Sequence, residues 1–546
     1  MHVLRTVLAA ATLVLVAGSG AVRPAFAATA PSLSPSSMSL SPSLSPSLSM
    51  ADRTLVTVSD GPLKGVASGD VRVFRNVPYA APPTGALRFA SPRPPAKWTE
   101  PRDASHPGNR CPQAAAMGSG GSLDEDCLTL EVTAPAKGGK RPVIVWLHGG
   151  VGLSGSGIDY DARRLASQGG VVVVAPNFRI GVLAALQHPA LDASSATGSS
   201  GSWGVEDQLA ALRWVRKNVA AFGGDPGNVT IAGQSAGSTA VCGLLLTPLA
   251  KGLFDRAVMQ SGPCDLRWAK NALFEGTPPS DGRPMSQKEK LPGNLRTAAS
   301  LGCPDEKEAA ACLRALPVQK FMDAQATGAE VGGGWGTAIQ PVRDPLGKGA
   351  YNRVPVMIGA TSHESRLFLS LRFDLQGKPL TAAQYPEKVR ESFGKDAGRV
   401  LRHYPLKKGA RPAETLAAVY TDHGWFCPTL TTAKKLTRRT PVHIYEFAET
   451  PVSSVPGLSF NPGAAHGTDV SYLFDYQGKN VLKTKAQRAF AKTVIKMWAR
   501  FAATGDPNGP GLPSWPRAPR VLALDSDGAG IRPVDAARAH QCGFWK

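Results

Sequence analysis

No stretch of this 546-residue chain stays apolar long enough to cross a bilayer. A helical span needs about 20 apolar residues, and the run from Val7 to Val16 stops well short. Long runs of one charge are missing too. The formal net charge is +20, yet the basic residues fall in scattered pairs such as Lys407-Lys408, Lys434-Lys435 and Arg438-Arg439, with no nucleic-acid motif beside them. The excess therefore reads as surface charge, and nucleic acid is not an expected partner. No metal-ligand cluster and no phosphate-cradling glycine loop occurs, so the chemistry is expected to need neither metal nor cofactor. The segment Pro112–Asp126 has no aromatic side chain to face a cationic ligand. With 42% apolar and 19% charged residues, the chain is neither fibrous nor wholly disordered.

What is present begins with an export signature. Arg5, the apolar run and Ala25-Phe26-Ala27 read as a signal peptide over residues 1–27, cleaved after about Ala27. No cysteine follows that point to take a lipid anchor. Residues 28–52, dominated by a Ser/Pro/Leu repeat, read as a flexible linker, and residues 53–546 as one large folded domain. A secreted protein can form disulfides, and the eight cysteines are an even number.

The strongest local signal is Val229 to Ser238, VTIAGQSAGS. A β-branched run enters Gly233-Gln234-Ser235-Ala236-Gly237, and a helix-competent stretch follows. Glycines two residues either side of Ser235 suit a strand-turn-helix nucleophile elbow, where a Cβ would crowd the approaching backbones. Upstream, Arg141–Leu147 and Gly170–Pro176 are apolar runs suited to strands buried on both faces. Leu209, Leu212, Val215 and Val219 recur at helical spacing.

Several longer frames surround this elbow: Pro78-Tyr79-Ala80 through Leu87-Arg88-Phe89 to Trp98, Glu125-Asp126-Cys127-Leu128, His148-Gly149-Gly150, and Asn177-Phe178-Arg179. Asp207-Gln208 and Phe222-Gly223-Gly224-Asp225-Pro226 continue the series, and Gly505-Asp506-Pro507-Asn508 and Trp515-Pro516 close it. Together they resemble the type-B carboxylesterase family, which includes the cholinesterases. The resemblance covers essentially Arg53 to Trp545. It implies an α/β-hydrolase fold: a large, mostly parallel central sheet, helices on both faces and long insertions around the active site.

A serine hydroxyl needs a base to take its proton and an acid to orient that base. In this fold the chain order is serine, acid, histidine. Glu364 follows the apolar Val354–Ile358 run, and His466 lies in Gly463-Ala464-Ala465-His466-Gly467; by resemblance they are the acid and the base for Ser235. His363 is the neighbouring decoy. The same comparison gives backbone oxyanion donors at Gly150, Val151 and Ala236, with Val151 standing where the family has glycine. It gives Ser261 and Asp469 as a serine and a carboxylate supporting the histidine. It also implies disulfides Cys111–Cys127, Cys303–Cys312 and Cys427–Cys542, and ion pairs Arg88–Glu125 and Arg179–Asp207. Cys242 and Cys264 have no assigned partner: two buried thiols and an extra bridge both stay open.

Gln234 replaces the family's usual glutamate, which argues against cationic substrates. Trp268 and the loop Gly332-Gly333-Gly334-Trp335 are candidates for lining the pocket. The expected function is a secreted serine esterase for small or medium uncharged esters. The alternatives are a specialised lipase or natural-product esterase, and a non-catalytic cholinesterase-like binding protein. The physiological ester and the oligomeric state are not readable.

Overall fold

The computed structural model describes residues 54–116, 119–280, 286–328, 344–450, 455–526 and 530–546. The leader, the Ser/Pro tract and the Gly332–Trp335 loop lie outside these residues. Runs rich in Val, Ile and Leu pair into an eleven-stranded sheet. In chain order its strands are β1 (Val66–Ser68), β2 (Val71–Pro78), β3 (Thr129–Pro135), β4 (Arg141–Leu147), β5 (Val172–Pro176) and β6 (Gly224–Gln234), then β7 (Arg256–Gln260), β8 (Val356–Thr361), β9 (Val442–Phe447), β10 (Val521–Leu524) and β11 (Arg532–Val534). Across the sheet they run β11-β10-β9-β8-β7-β6-β4-β5-β3-β2-β1. From β10 to β5 every neighbouring pair is parallel, while β11 at one edge and β3, β2 and β1 at the other pair antiparallel.

Both faces are covered, which is why β4 and β5 read as continuous apolar runs. Along β4 the side chains alternate between two cores. Val143, Val145 and Leu147 pack in one core with Leu209, Leu212 and Val215 of helix α1 (Trp203–Asn218). Ile144 and Trp146 pack in the other with Val494, Ile495 and Trp498 of helix α2 (Lys485–Thr504). Helix α2 begins at a capping box of Thr484 and Gln487 and stops at Gly505, whose φ of 78° suits a left-handed cap.

Two smaller cores sit beside the main ones. One gathers Phe368, Leu369, Tyr385, Leu416 and Trp425 from insertions after β8; the other gathers Phe89, Val182, Trp203 and Phe321. Disulfides join Cys111 to Cys127, Cys303 to Cys312, Cys427 to Cys542 and Cys242 to Cys264. The last answers the open pair: it ties the helix after the elbow to the loop after β7. Arg88 grips Glu125 with Nε–Oε1 at 2.7 Å, and Arg179 binds buried Asp207 through two guanidinium nitrogens at 2.7 and 2.8 Å. Among the described residues no helix is long and apolar enough to cross a membrane.

Candidate active site

Strand β6 ends at Gln234, and helix α3 (Ala236–Leu246) starts immediately after Ser235. Ser235 therefore takes the whole reversal, at φ 57° and ψ −125°, a sparsely populated conformation that costs of order 1–3 kcal/mol. The neighbours hold it there. A Cβ on Gly233 would lie 2.5 Å from the Gly237 carbonyl, and one on Gly237 would lie 2.0 Å from the Leu147 oxygen. Only glycine fits either position. The Ser235 N–H donates to the Gln260 carbonyl of β7 at 2.9 Å, and the hydroxyl of Ser238 donates to the Gly262 carbonyl at 2.8 Å.

The loop after β8 carries Glu364, whose side chain is fully buried. Its Oε1 accepts the Thr361 N–H at 2.7 Å, and its Oε2 lies 2.5 Å from His466 Nδ1. A carboxylate can only accept, so Nδ1 carries a proton, and in the neutral ring Nε2 presents a lone pair. Two backbone bonds zip the segments together: His363 N–H to the Ala464 carbonyl at 3.0 Å, and His466 N–H to the Glu364 carbonyl at 3.3 Å. Gly463 lies at φ 58°, and a Cβ there would come within 2.8 Å of His363 Nδ1. His363 itself faces Ser362, Nδ1 to Oγ at 2.8 Å, and burial pushes it down to about 3. It is not a partner of the Glu364 carboxylate. The neighbour of His466 Nε2 is the Gln234 side-chain nitrogen at 3.2 Å, not the Ser235 hydroxyl.

Beneath the histidine, Asp469 Oδ2 accepts from Gln260 Nε2 at 2.7 Å and from the Tyr445 hydroxyl at 3.4 Å. Gln260 in turn accepts from Trp498 Nε1 at 2.9 Å. Burial, reinforced by the Glu364 charge, pushes the Asp469 carboxyl up to about 6 against the opposing pull of the Gln260 bond. Ser261, held at φ 51°, has a buried hydroxyl with no hydrogen-bond partner among the described residues. The structure thus links Asp469 to Gln260 and Tyr445, not to Ser261.

Facing Ser235 across the site is the turn His148–Gly155. Gly149 approaches so closely that a Cβ on it would stand 3.3 Å from Ser235 Cβ. Its N–H donates to the Tyr160 hydroxyl at 3.2 Å, and its carbonyl accepts from His148 Nδ1 at 2.9 Å. Burial lowers His148 to about 4, leaving a neutral ring stacked on Phe178. Gly150 lies at φ 112° and Val151 at φ 60°, and Val151 is 40% exposed. Neither N–H meets an acceptor among the described residues. Gln113 braces the far end: its Oε1 accepts the Gly155 N–H at 2.8 Å, and its Nε2 donates to the Gly155 carbonyl at 2.9 Å and the Cys111 carbonyl at 3.0 Å. A half-buried base with an oriented ring, a strained serine and free N–H groups across from it can perform acyl transfer.

The sequence pattern of the Carboxylesterase family matches residues 52–545. The chain belongs to the carboxylesterase family. It is similar to human (Homo sapiens) cocaine esterase, 31% identical over 519 residues covering 89% of this chain and 88% of the relative. It is also similar to fumonisin B1 esterase of Sphingopyxis macrogoltabida, 32% identical with 88% of each chain covered. Of the solved structures, a PNB esterase superposes with a TM-score of 0.71 at 29% identity, covering 90% of this chain and all of that one. Membership of this family, with esterases as relatives over most of their length, makes the protein a carboxylic ester hydrolase.

In this carboxylesterase a cavity of about 1140 Å³ opens onto Ser235 and Ala236. Its wall includes Val151, Leu266, Trp268, Leu273, Phe368 and Trp425, so Trp268 does line the pocket, edge-on to Trp425 with ring centroids 4.6 Å apart. Trp425 and Phe368 also lie 4.5 and 5.2 Å from the His466 ring. Trp425 belongs to a π-helical turn, Thr421–Phe426, which reaches the pocket through His423 as well. Sequence reasoning passed over Gln260, Tyr160 and Tyr445. None stands in a motif of its own; the register that sets Gln260 opposite Gln234 comes only from β6 pairing with β7.

Proposed function

We propose that the protein is an exported serine carboxylesterase that hydrolyses small or medium uncharged esters through an acyl-enzyme on Ser235. The observation that carries this reading is the 2.5 Å contact of His466 Nδ1 with buried Glu364, beside a serine held on a strained elbow. Ser235 Oγ attacks the ester carbonyl while His466 Nε2 takes its proton. Glu364 orients the imidazole and stabilises its positive charge. The tetrahedral oxyanion is met by the N–H groups of Gly150, Val151 and Ala236, each donor contributing about 3 kcal/mol in a typical site. The C–O bond then breaks, and the alcohol leaves with the proton from His466. Water repeats the sequence on the acyl-enzyme, releasing the acid and restoring Ser235. Ser261 and Asp469 support the histidine from below.

Residues 1–27 act in this reading as a cleaved signal and residues 28–52 as a linker to the domain at 53–546; the four disulfides fit an oxidising compartment. A largely apolar wall, Gln234 in place of an acid and Arg267 at the cavity disfavour cationic substrates. The size of the cavity favours a second reading, a lipase or natural-product esterase, since drug-sized ligands occupy roughly 300–1,000 Å³ and the volume here exceeds that. Hydrolysis of p-nitrophenyl esters of graded acyl length separates the two readings, with Ser235→Ala as control. A maximum at short chains supports the first, and a maximum at long chains the second. A fluorophosphonate that fails to label Ser235 in folded protein would overturn both.

A further inference from the structure

The catalytic nitrogen of His466 has an unexpected neighbour. Gln234 Nε2 lies 3.2 Å from His466 Nε2, and the Gln234 side chain is buried beneath the elbow. With Nδ1–H donating to Glu364, the neutral ring offers Nε2 as an acceptor, and the amide is, through its nitrogen, the donor that meets it. Its oxygen faces the other way: a Cβ built on Gly149 would approach Gln234 Oε1 at 3.3 Å.

We propose that Gln234 is a positioning residue of the esterase reaction: its amide donates to His466 Nε2, holds the imidazole as the neutral Nδ1–H tautomer, and stands where the Ser235 hydroxyl must bind to be deprotonated. The inference rests on the esterase reading of the site. Its chemistry follows from donors and acceptors alone. While His466 is neutral, the amide bond stabilises it. Once Nε2 takes the serine proton, two N–H donors face each other, and the contact turns unfavourable until the amide turns its oxygen inward. Gln234 thus favours the base over its conjugate acid and keeps the base available at lower pH. A carboxylate at the same place would do the reverse, because an opposite charge within about 4–6 Å favours the charged form.

The other groups around the ring leave this role to Gln234. The charged groups facing His466 are Glu364, from the loop after β8, and Asp469, further along its own loop. Both are acidic and would draw a proton to the ring. Trp425 from the π-helical turn and Phe368 from Arg366–Arg372 cover it with apolar surface, and His363 is turned to Ser362. Among these neighbours Gln234 alone meets Nε2 with a hydrogen-bond donor.

The test titrates the low-field proton resonance of the His466–Glu364 hydrogen bond in substrate-free wild type, Gln234→Glu and Gln234→Met, together with the pH profile of kcat/KM for p-nitrophenyl acetate. In Gln234→Glu the midpoint is expected to rise by about one pH unit or more, roughly tenfold in proton affinity. In Gln234→Met, which loses the donor without gaining a charge, it rises by less, and the acidic limb of kcat/KM follows both. A residue that merely fills space would leave the Gln234→Met midpoint at the wild-type value, whatever the added charge does in Gln234→Glu, and that result overturns the proposal. Circular dichroism checks each fold. If Gln234→Glu does not fold, Gln234→Met carries the test, and an unshifted midpoint there overturns it. A wild type that hydrolyses no ester, with a shifted resonance in Gln234→Met, would fail the esterase reading while supporting the Gln234–His466 contact.

Discussion

Two tight turns meet at Ser235, and one of them leans on side chains from outside it. The elbow is fixed by backbone: the Gly237 carbonyl beside Gly233, the Leu147 oxygen beside Gly237, and the Gln260 carbonyl on the Ser235 N–H. The facing turn, His148–Gly155, has backbone bonds of its own, from the Leu153 and Ser154 N–H groups to the Gly150 carbonyl, but it is also braced by side chains: Tyr160 and Gln113 reach in from elsewhere, and the His148 ring stacks on Phe178. Backbone atoms belong to the sheet and cannot retreat without moving it. Side chains can be exchanged one at a time. The elbow is therefore intolerant, whereas the facing turn can be adjusted, and Val151 at φ 60° is an adjustment already made.

The harshest way to probe this difference is Gly237→Ala. The new Cβ would meet the Leu147 oxygen at 2.0 Å, a clash only a shift of helix against sheet relieves. We expect a loss of about 3 kcal/mol or more, read as a lower denaturant midpoint and falling soluble yield. An unchanged midpoint would erase the contrast between the two turns. Next in size is Gln113→Ala. It leaves the Gly155 N–H and carbonyl without their braces while touching no residue of the elbow. A kcat reduced about tenfold, equivalent to roughly 1.4 kcal/mol, is expected with the fluorophosphonate still reaching Ser235. A drop in denaturant midpoint as large as that of Gly237→Ala would show the turn to be as rigid as the elbow.

Val151→Gly sharpens the comparison from the other side. A β-branched residue is a poor occupant of the left-handed region, and glycine removes that strain without removing the N–H. Turnover of a simple acetate ester is expected to rise by roughly threefold to tenfold, the range that 1 kcal/mol or so of relieved strain allows. An unchanged or lower kcat would mean that the Val151 N–H is already well placed and that its side chain, 40% exposed toward the cavity, serves substrate fit instead.

The same contrast sets what could be read from the sequence. Backbone-built features leave compulsory residues behind: Gly233 and Gly237 at the elbow and the continuous apolar strands β4 and β5 were all visible. So was Glu364 just past a buried strand, with His466 in its glycine-flanked frame, and the structure brings those two side chains together. Side-chain braces leave no such trace. Gln260 and Tyr445 act because β-strand order carries them to the site, and Tyr160 because its segment pairs with Tyr476 beside the facing turn; neither is written locally. The Cys242–Cys264 bridge was undecidable for the same reason, since only the packing of α3 against the loop after β7 brings the two residues together. Ser261 and Asp469 were expected to support the histidine, and the hydrogen bonds of Asp469 run to Gln260 and Tyr445, partners the spacing does not point to. What lies under the ring depends on rotamers, which spacing does not report.

The smallest expected effect separates the two turns by pH. No residue from Val229 to Ser238 titrates, whereas the facing turn holds His148, lowered by burial from 6.5 to about 4. The unfolded chain takes up a proton at His148 as pH falls through about 6.5, but the folded chain does not until about 4. Within that window the unfolded state binds more protons, so stability falls with pH; below about 4 both states are protonated at this site and its contribution stops changing. His363, His423 and His443 are likewise lowered by burial, so His148 supplies one share of the slope among several. Replacing it in His148→Phe, which keeps a ring against Phe178, should flatten the fall in denaturant midpoint between pH 6.5 and 4 without abolishing it. The Gly149 carbonyl loses its donor in that variant, so kcat at pH 7.5 should drop modestly as well. A pH slope identical to wild type would place the acid sensitivity elsewhere and leave the facing turn as indifferent to protons as the elbow.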